Sequence, residues 1–99
     1  MEKILVLNKA DNTGIAVSDV IEGETVHYEI ENQMITLTAA QAIPFGFKIA
    51  LQYILKGADI IKYGEAIGAA RKNIGVGELV HVQNVEGKRG RGDLLREKL

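Results

Sequence analysis

Residues 43–84 read IPFGFKIALQYILKGADIIKYGEAIGAARKNIGVGELVHVQN. One short device recurs in this stretch: an Ile or Val, two residues, a Gly, two residues, then another Ile or Val. It stands at Ile43/Gly46/Ile49, Ile54/Gly57/Ile60, Ile61/Gly64/Ile67 and Ile74/Gly77/Val80, and a further copy, Val20/Gly23/Val26, lies upstream. A glycine at a fixed offset between β-branched residues marks a corner where the backbone turns to positive φ or passes close to another strand, with the branched side chains anchoring both arms. Ile43-Pro44-Phe45-Gly46 fits the idea best, with Pro suited to the second position of a type I turn and Gly to a position after it. One copy is within reach of chance in a chain rich in Gly and aliphatics; five copies are not. The expectation is short strands joined by tight corners.

Outward from this stretch, Lys3 to Leu7 reads as a strand, and Ala10-Asp11-Asn12-Thr13-Gly14 as a turn leading to a second strand at Ile15 to Val17. Thr25 to Glu31 alternates, with Val26, Tyr28 and Ile30 on one face and His27, Glu29 and Glu31 on the other. Glu31-Asn32-Gln33 then forms a hairpin loop into Met34 to Thr38. His27 falls on the polar face and reads as a solvated surface histidine. Phe47, Ala50, Leu51, Ile54 and Leu55 sit at helical spacing, so periodicity alone makes 47–56 an amphipathic helix. The turn repeat makes the same residues two short strands, and the β-branched Ile49, Ile54, Ile60 and Ile61 favour the strands. Short helical turns fit at Thr38 to Ala42 and Ala69 to Asn73, where Ala-Ala precedes a turn copy.

A length of 99 residues allows one domain with one modest core. Hydrophobic residues are 46% and charged residues 25%, an ordinary globular balance that argues against disorder. Without cysteine there is neither a disulfide framework nor a thiolate metal site. The apolar run Ile4 to Leu7 is far too short for a signal-peptide core or a membrane span, so the expectation is a cytoplasmic protein without membrane contact. Charge is uneven: residues 1–45 carry two basic and seven acidic side chains, and residues 46–99 carry ten basic and six acidic. A basic second half suits an anionic ligand or an acidic partner surface. Nucleic acid is not expected, because no basic-aromatic motif is present and the aromatic residues are only 5%. Residues 1–87 read as the domain, and 88–99, with the composition KRGRGDLLREKL, as a basic C-terminal tail or a segment that docks on a partner through Leu94, Leu95 and Leu99. Arg91-Gly92-Asp93 carries no adhesion argument.

No self-contained active site is legible: there is no nucleophile triad, no GxxxxGK loop, no HExxH and no close carboxylate pair. The polar residues worth singling out border the glycine turns. They are Lys48 after Gly46, Lys62-Tyr63 before Gly64, and His81 with Gln83-Asn84 after the last strand. Read as a strand, His81 and Gln83 share a face.

The run Gly46 to Leu51, then Ile54 to Gly57, Lys62 to Gly68, Ile74 to Glu78 and Val80-His81-Val82-Gln83-Asn84 resembles the SAF domain of the altronate and galactarate dehydratase family, and is similar to the stand-alone small subunit of sulfolactate sulfo-lyase. The resemblance covers roughly residues 5–93. It implies a mainly β, β-clip fold of short bent strands with one or two short helical turns. It also implies β-elimination on sugar acids or sulfolactate, with a divalent metal such as iron or manganese in the complex, and most of the catalytic machinery on a large partner. On that basis the chain is a small, lid-like accessory subunit of a hydro-lyase or sulfo-lyase. Its partners are a large dehydratase-like catalytic subunit and a small anionic polyhydroxy or sulfonated acid, and apolar strand edges make a homo-oligomer conceivable. Carried over residue by residue, His81 and Lys48 are the catalytic candidates, and Lys62, Tyr63, Asn84 and Gln83 the substrate-contacting ones. The family usually has Gly-His-Lys where this chain has Gly46-Phe47-Lys48, and often a second His where it has Gln83. Phe47 neither ligates metal nor moves protons, and Gln83 offers only neutral hydrogen bonds. The rival reading is a non-catalytic SAF-type binding or assembly module, since this fold serves several functions. Convergence of His81 and Lys48 on one pocket separates the two.

Overall fold

The computed structural model describes residues 2–87; the segment 88–99, with its expected role as tail or docking element, lies outside the described residues. The described residues form nine strands: β1 (Ile4–Leu5), β2 (Thr13–Ala16), β3 (Thr25–Ile30), β4 (Gln33–Thr38), β5 (Lys48–Ala50), β6 (Asp59–Lys62), β7 (Glu65–Ala70), β8 (Leu79–Val80) and β9 (Val85–Gly87). All pair antiparallel, in sheets ordered β1-β2-β5-β8, β3-β4 and β6-β7-β9. The mainly β expectation holds, and 47–56 is strand and bend, not helix. The helical turns expected at Thr38 to Ala42 and Ala69 to Asn73 do not form, because the backbone of Ala39 and Ala70 is engaged elsewhere.

That engagement comes from the glycine turns. Gly23, Gly46, Gly57 and Gly77 have φ of 88°, 90°, 89° and 84°. Each is the third residue of a turn closed by a bond between its outer residues: Glu24 N–H to Ile21 C=O, Phe47 to Pro44, Ala58 to Leu55 and Glu78 to Gly75, at 3.1, 3.0, 2.9 and 3.1 Å. Positive φ at the third position alone defines a type II turn, so Pro44 is the first residue of its turn and not the second of a type I turn. The copy at Gly64 is a different device. Tyr63 and Gly64 both have positive φ, 56° and 79°, and join β6 to β7 as a two-residue hairpin loop. Glu31 and Asn32, at 52° and 66°, do the same between β3 and β4, where Gln33 already belongs to the strand.

Each type II turn grips one buried alanine. The glycine N–H donates to the alanine C=O, and the next residue's C=O accepts the alanine N–H: Gly23 and Glu24 hold Ala39, Gly46 and Phe47 hold Ala16, Gly57 and Ala58 hold Ala70, Gly77 and Glu78 hold Ala50, all at 2.7 to 2.9 Å. Each gripped alanine lies four residues before the first aliphatic of a copy, so the full unit is Ala-x3-Ile/Val-x2-Gly-x2-Ile/Val. The grips are reciprocal. The unit 16–26 and the unit 39–49 hold each other, bridged at Val20 and Ile43; the units 50–60 and 70–80 hold each other, bridged at Ile54 and Ile74.

The chain is therefore two similar halves, 16–49 and 50–80, each a unit, a hairpin and a second unit. The buried core divides at the same seam. One cluster holds Val20, Val26, Ile43 and Ile49 with Ile4, Val6, Tyr28 and Leu37; the other holds Ala50, Ile54, Ile60, Ile74 and Val80. Each fully buried aliphatic contributes about 1.5 to 3 kcal/mol to keeping its half closed. The halves are joined by the β5–β8 pairing, by Ala40 N–H on Gly77 C=O at 2.9 Å, and by Leu79 N–H on the Gln41 side chain at 2.7 Å.

Candidate functional site

The polar segment 11–13, expected as a simple turn, is buried and fastens the second hairpin. Asn12 accepts the Ile61 N–H at 2.7 Å and donates to Asp59 C=O at 2.8 Å, while the Thr13 hydroxyl donates to Ile61 C=O at 3.0 Å. Asp11 accepts the Gly64 N–H at 2.7 Å. These bonds meet β6 where its register with β7 shifts between Ile60 and Ile61, a bulge of the kind that re-aims the side chains beyond it. Beyond it stands Lys62, whose Nζ lies 5.1 Å from the centre of the half-exposed Tyr63 ring. Such cation–π contact at an exposed site is worth roughly 0.5 to 1 kcal/mol.

Lys48 on β5 faces the same region. Burial of its stem and ammonium pushes its pKa below the ordinary 10.5, and the Lys62 charge pushes the same way. Among the described residues the ion pairs are Lys3 with Glu24 and Lys9 with Glu31, and neither involves Lys48 or Lys62. The result is a cationic pair, partly withdrawn from water, with Tyr63 beside it. An anion placed there relieves both the repulsion and the desolvation.

His81 is elsewhere. Lys48 pairs with Val80, so Phe47 and His81 come opposite each other on the other side of the β5–β8 ribbon, because side chains alternate along a strand. Their ring centroids are 4.7 Å apart at 55°. Phe47 packs on the first core cluster with Ile49, whereas Val80, opposite Lys48, belongs to the second. Lys48 and His81 thus leave the ribbon on opposite faces. Two open concavities, of about 420 and 400 Å³, are lined by Lys56, Arg71 and Glu86 among others and by Leu5, Leu7 and Glu29 among others, and neither includes Lys48 or His81.

Strand alternation does not extend to Gln83. β8 ends at Val80, and 81–84 closes into a turn through Asn84 N–H on His81 C=O at 2.9 Å. Gln83 is exposed. Asn84 is buried with both ends of its amide occupied: Oδ1 accepts the His81 N–H at 2.9 Å and Nδ2 donates to Leu79 C=O at 2.7 Å. Its polar atoms are directed at the chain itself.

Among the described residues no three His, Cys, Asp or Glu side chains gather as a metal would require. With the Phe47 ring against His81, the described residues do not supply the donor set of a metal centre. Among the described residues there is also no helix long and apolar enough to cross a membrane.

Short glycine-cornered strands paired into two reciprocal clips define a β-clip domain, here with a cationic pair beside its second hairpin. The sequence profile of the altronate/galactarate dehydratase SAF domain matches residues 2–88, and the chain belongs to that family. Altronate dehydratase of Escherichia coli (strain K12) is 41% identical over 78 residues, which are 79% of this chain and 15% of that protein. Altronate dehydratase of Bacillus subtilis (strain 168) is 35% identical over 86 residues, 87% of this chain and 16% of that protein. The chain thus spans about one sixth of these relatives. The (2R)-sulfolactate sulfo-lyase subunit alpha of Chromohalobacter salexigens is 35% identical over 82 residues, covering 80% of this chain and 87% of that subunit.

Proposed function

We propose that this chain is a small accessory subunit of a lyase that eliminates water or a sulfur leaving group from a small hydroxylated or sulfonated carboxylic acid, with a separate large subunit supplying most of the catalytic groups. The observation that carries the reading is Lys48, half-buried and with its pKa lowered by burial and then by the charge of nearby Lys62, while neither lysine takes part in the Lys3–Glu24 or Lys9–Glu31 ion pairs. The similarity to a relative named as a subunit, 87% of which the match covers, supports the division of labour.

In β-elimination a proton leaves the carbon next to the carboxylate and a group departs from the following carbon, so negative charge grows on the carboxylate oxygens. Lys48 and Lys62 hold those oxygens and stabilise the growing charge, and Tyr63 shields the pair from water. His81 and Gln83 lie around the end of the β5–β8 ribbon. A large subunit that uses both faces closes over that end like a socket. No step is assigned to a metal on this chain.

The opposite facing of Lys48 and His81 favours a second reading, a non-catalytic binding or assembly module. One assay separates the two. The purified chain is tested for elimination on altronate, galactarate and sulfolactate, alone and mixed with a large dehydratase-like protein of the same organism, with iron or manganese present. Activity in the mixture alone, reduced on Lys48→Ala, supports the accessory subunit. Silence in every mixture, with no co-elution, supports the binding module.

A further inference from the structure

His81 occupies a fifth alanine place. In the first half Ile49 is followed by Ala50, the residue gripped by the turn 75–78; in the second half Val80, the equivalent of Ile49, is followed by His81. Among the described residues no type II turn grips His81. Asn84 makes both bonds that such a turn would make. Its backbone N–H donates to His81 C=O at 2.9 Å, as the turn glycine does, and its Oδ1 accepts the His81 N–H at 2.9 Å, as the C=O of the residue after the glycine does. The amide orientation is forced, because Nδ2 faces Leu79 C=O and only Oδ1 can accept. Asn84 is anchored in turn by its own C=O, which accepts the Arg71 N–H at 2.9 Å; the corresponding N–H of the first half, on Ala40, is taken by Gly77 C=O at 2.9 Å.

We infer that Asn84 is a positioning residue for His81: a one-residue stand-in for a turn, which fixes the His81 backbone as firmly as the gripped alanines while leaving room for an imidazole where the other four places hold alanine. The four alanines are buried, and His81 is only partly so. The Phe47 ring, 4.7 Å away, then sets the imidazole's orientation. Substrate contact, the role that sequence suggested for Asn84, passes to the residue it holds. The inference rests on the proposed accessory-subunit reading only for its effect on activity. Its geometry is tested on the chain alone, so a failed elimination assay and a failed positioning test are separate results.

The experiment is amide hydrogen exchange and imidazole NMR on the full chain. In the native protein the His81 amide is expected to exchange within about tenfold of the Ala16, Ala39, Ala50 and Ala70 amides. A His81 amide as fast as those of exposed Val82 and Gln83 overturns the inference without any variant. Asn84→Asp, examined at acidic pH with its carboxyl protonated so that one oxygen accepts from His81 N–H and the other donates to Leu79 C=O, is expected to keep the protection and the ring-current shift that Phe47 imposes on the imidazole protons. Asn84→Ala is expected to lose both. Phe47→Leu is expected to lose the ring-current shift alone. Unchanged imidazole shifts in folded Asn84→Ala contradict the positioning role, and loss of protection in folded Asn84→Asp with the carboxyl protonated contradicts the turn-mimic account.

Discussion

The two halves share a frame and differ in their hairpins. The first hairpin, β3–β4, is a regular six-pair ladder whose outer face carries His27, Glu29, Thr36 and Met34. The second, β6–β7, is shorter, bulged at Ile60/Ile61, bound at its tip and bulge by Asp11, Asn12 and Thr13, and brings Lys62 toward Lys48. A regular ladder is complete in itself. A bulged ladder, bound by buried polar side chains, holds two like charges near each other, which packing alone does not favour. The reciprocal turns are the shared scaffold, and the two halves depart from one another at the second hairpin and at the end of the second half.

The comparison breaks most sharply at the turn glycines. All four have positive φ, but a Cβ on Gly77 would meet Thr38 C=O at 2.1 Å and the Ala40 N at 2.8 Å, whereas one on Gly23, Gly46 or Gly57 meets nothing within 4 Å. Gly77→Ala is expected to cost about 4 kcal/mol or more by urea unfolding, since it strains the backbone and pushes the halves apart. Gly57→Ala should cost only the left-handed backbone strain, about 1 to 2 kcal/mol. Equal losses would mean that the seam does not bear on Gly77.

Next come the cores. Ile43→Ala and Ile74→Ala, each emptying a fully buried site, should cost on the order of 3 kcal/mol apiece. Because the two residues lie in separate clusters, the double variant should be additive within about 0.5 kcal/mol, while Val20→Ala with Ile43→Ala, bridged partners in one cluster, should not. Strong coupling between Ile43 and Ile74 would dissolve the division into halves.

Smaller effects come from titration. Lys48 has a folded pKa below its unfolded 10.5, so the unfolded state binds the proton more tightly, and stability should rise as pH climbs through that lowered value toward 10.5. Lys48→Met should remove this rise. Tyr28, raised above 10.0 by burial in the first core, opposes it: its contribution is complete below 10.0 and is lost as pH rises through the higher folded value. The smallest effect belongs to Glu24, held below 4.5 by hydrogen bonds from Lys3 and from the Ile21 N–H; its contribution should fade as pH falls through the lowered value, and Glu24→Gln should abolish that dependence.

Much of the frame was legible because a glycine at positive φ leaves a mark that few other residues can replace. The periodic Val, Ile and Gly positions located the four type II corners, and alternation located β3 and β4. Ala39 and Ala70 were passed over because Ala-Ala reads locally as a helix former, and for all four gripped alanines only the partner turn, distant in sequence, shows why an alanine stands there. Asp11, Asn12 and Thr13 looked like a solvated turn since their partners lie some fifty residues away. Lys48, Lys62 and Tyr63 were found at turn borders and do come together. His81 was placed with them by sequence proximity to the same motifs, and strand alternation sends it to the other face. Asn84 could be recognised only from its two bonds to His81.

In the proposed function the surface between β5 and the second hairpin binds a small organic anion. Titration of the isolated chain with a carboxylate or sulfonate, followed by amide and lysine side-chain NMR shifts at near-neutral pH, tests it most directly. The account predicts saturable shifts confined to Lys48, Lys62 and Tyr63, absent in Lys48→Met and weakening as pH rises through the depressed Lys48 pKa. Shifts spread over all lysines without saturation, or none at these three residues, would contradict it.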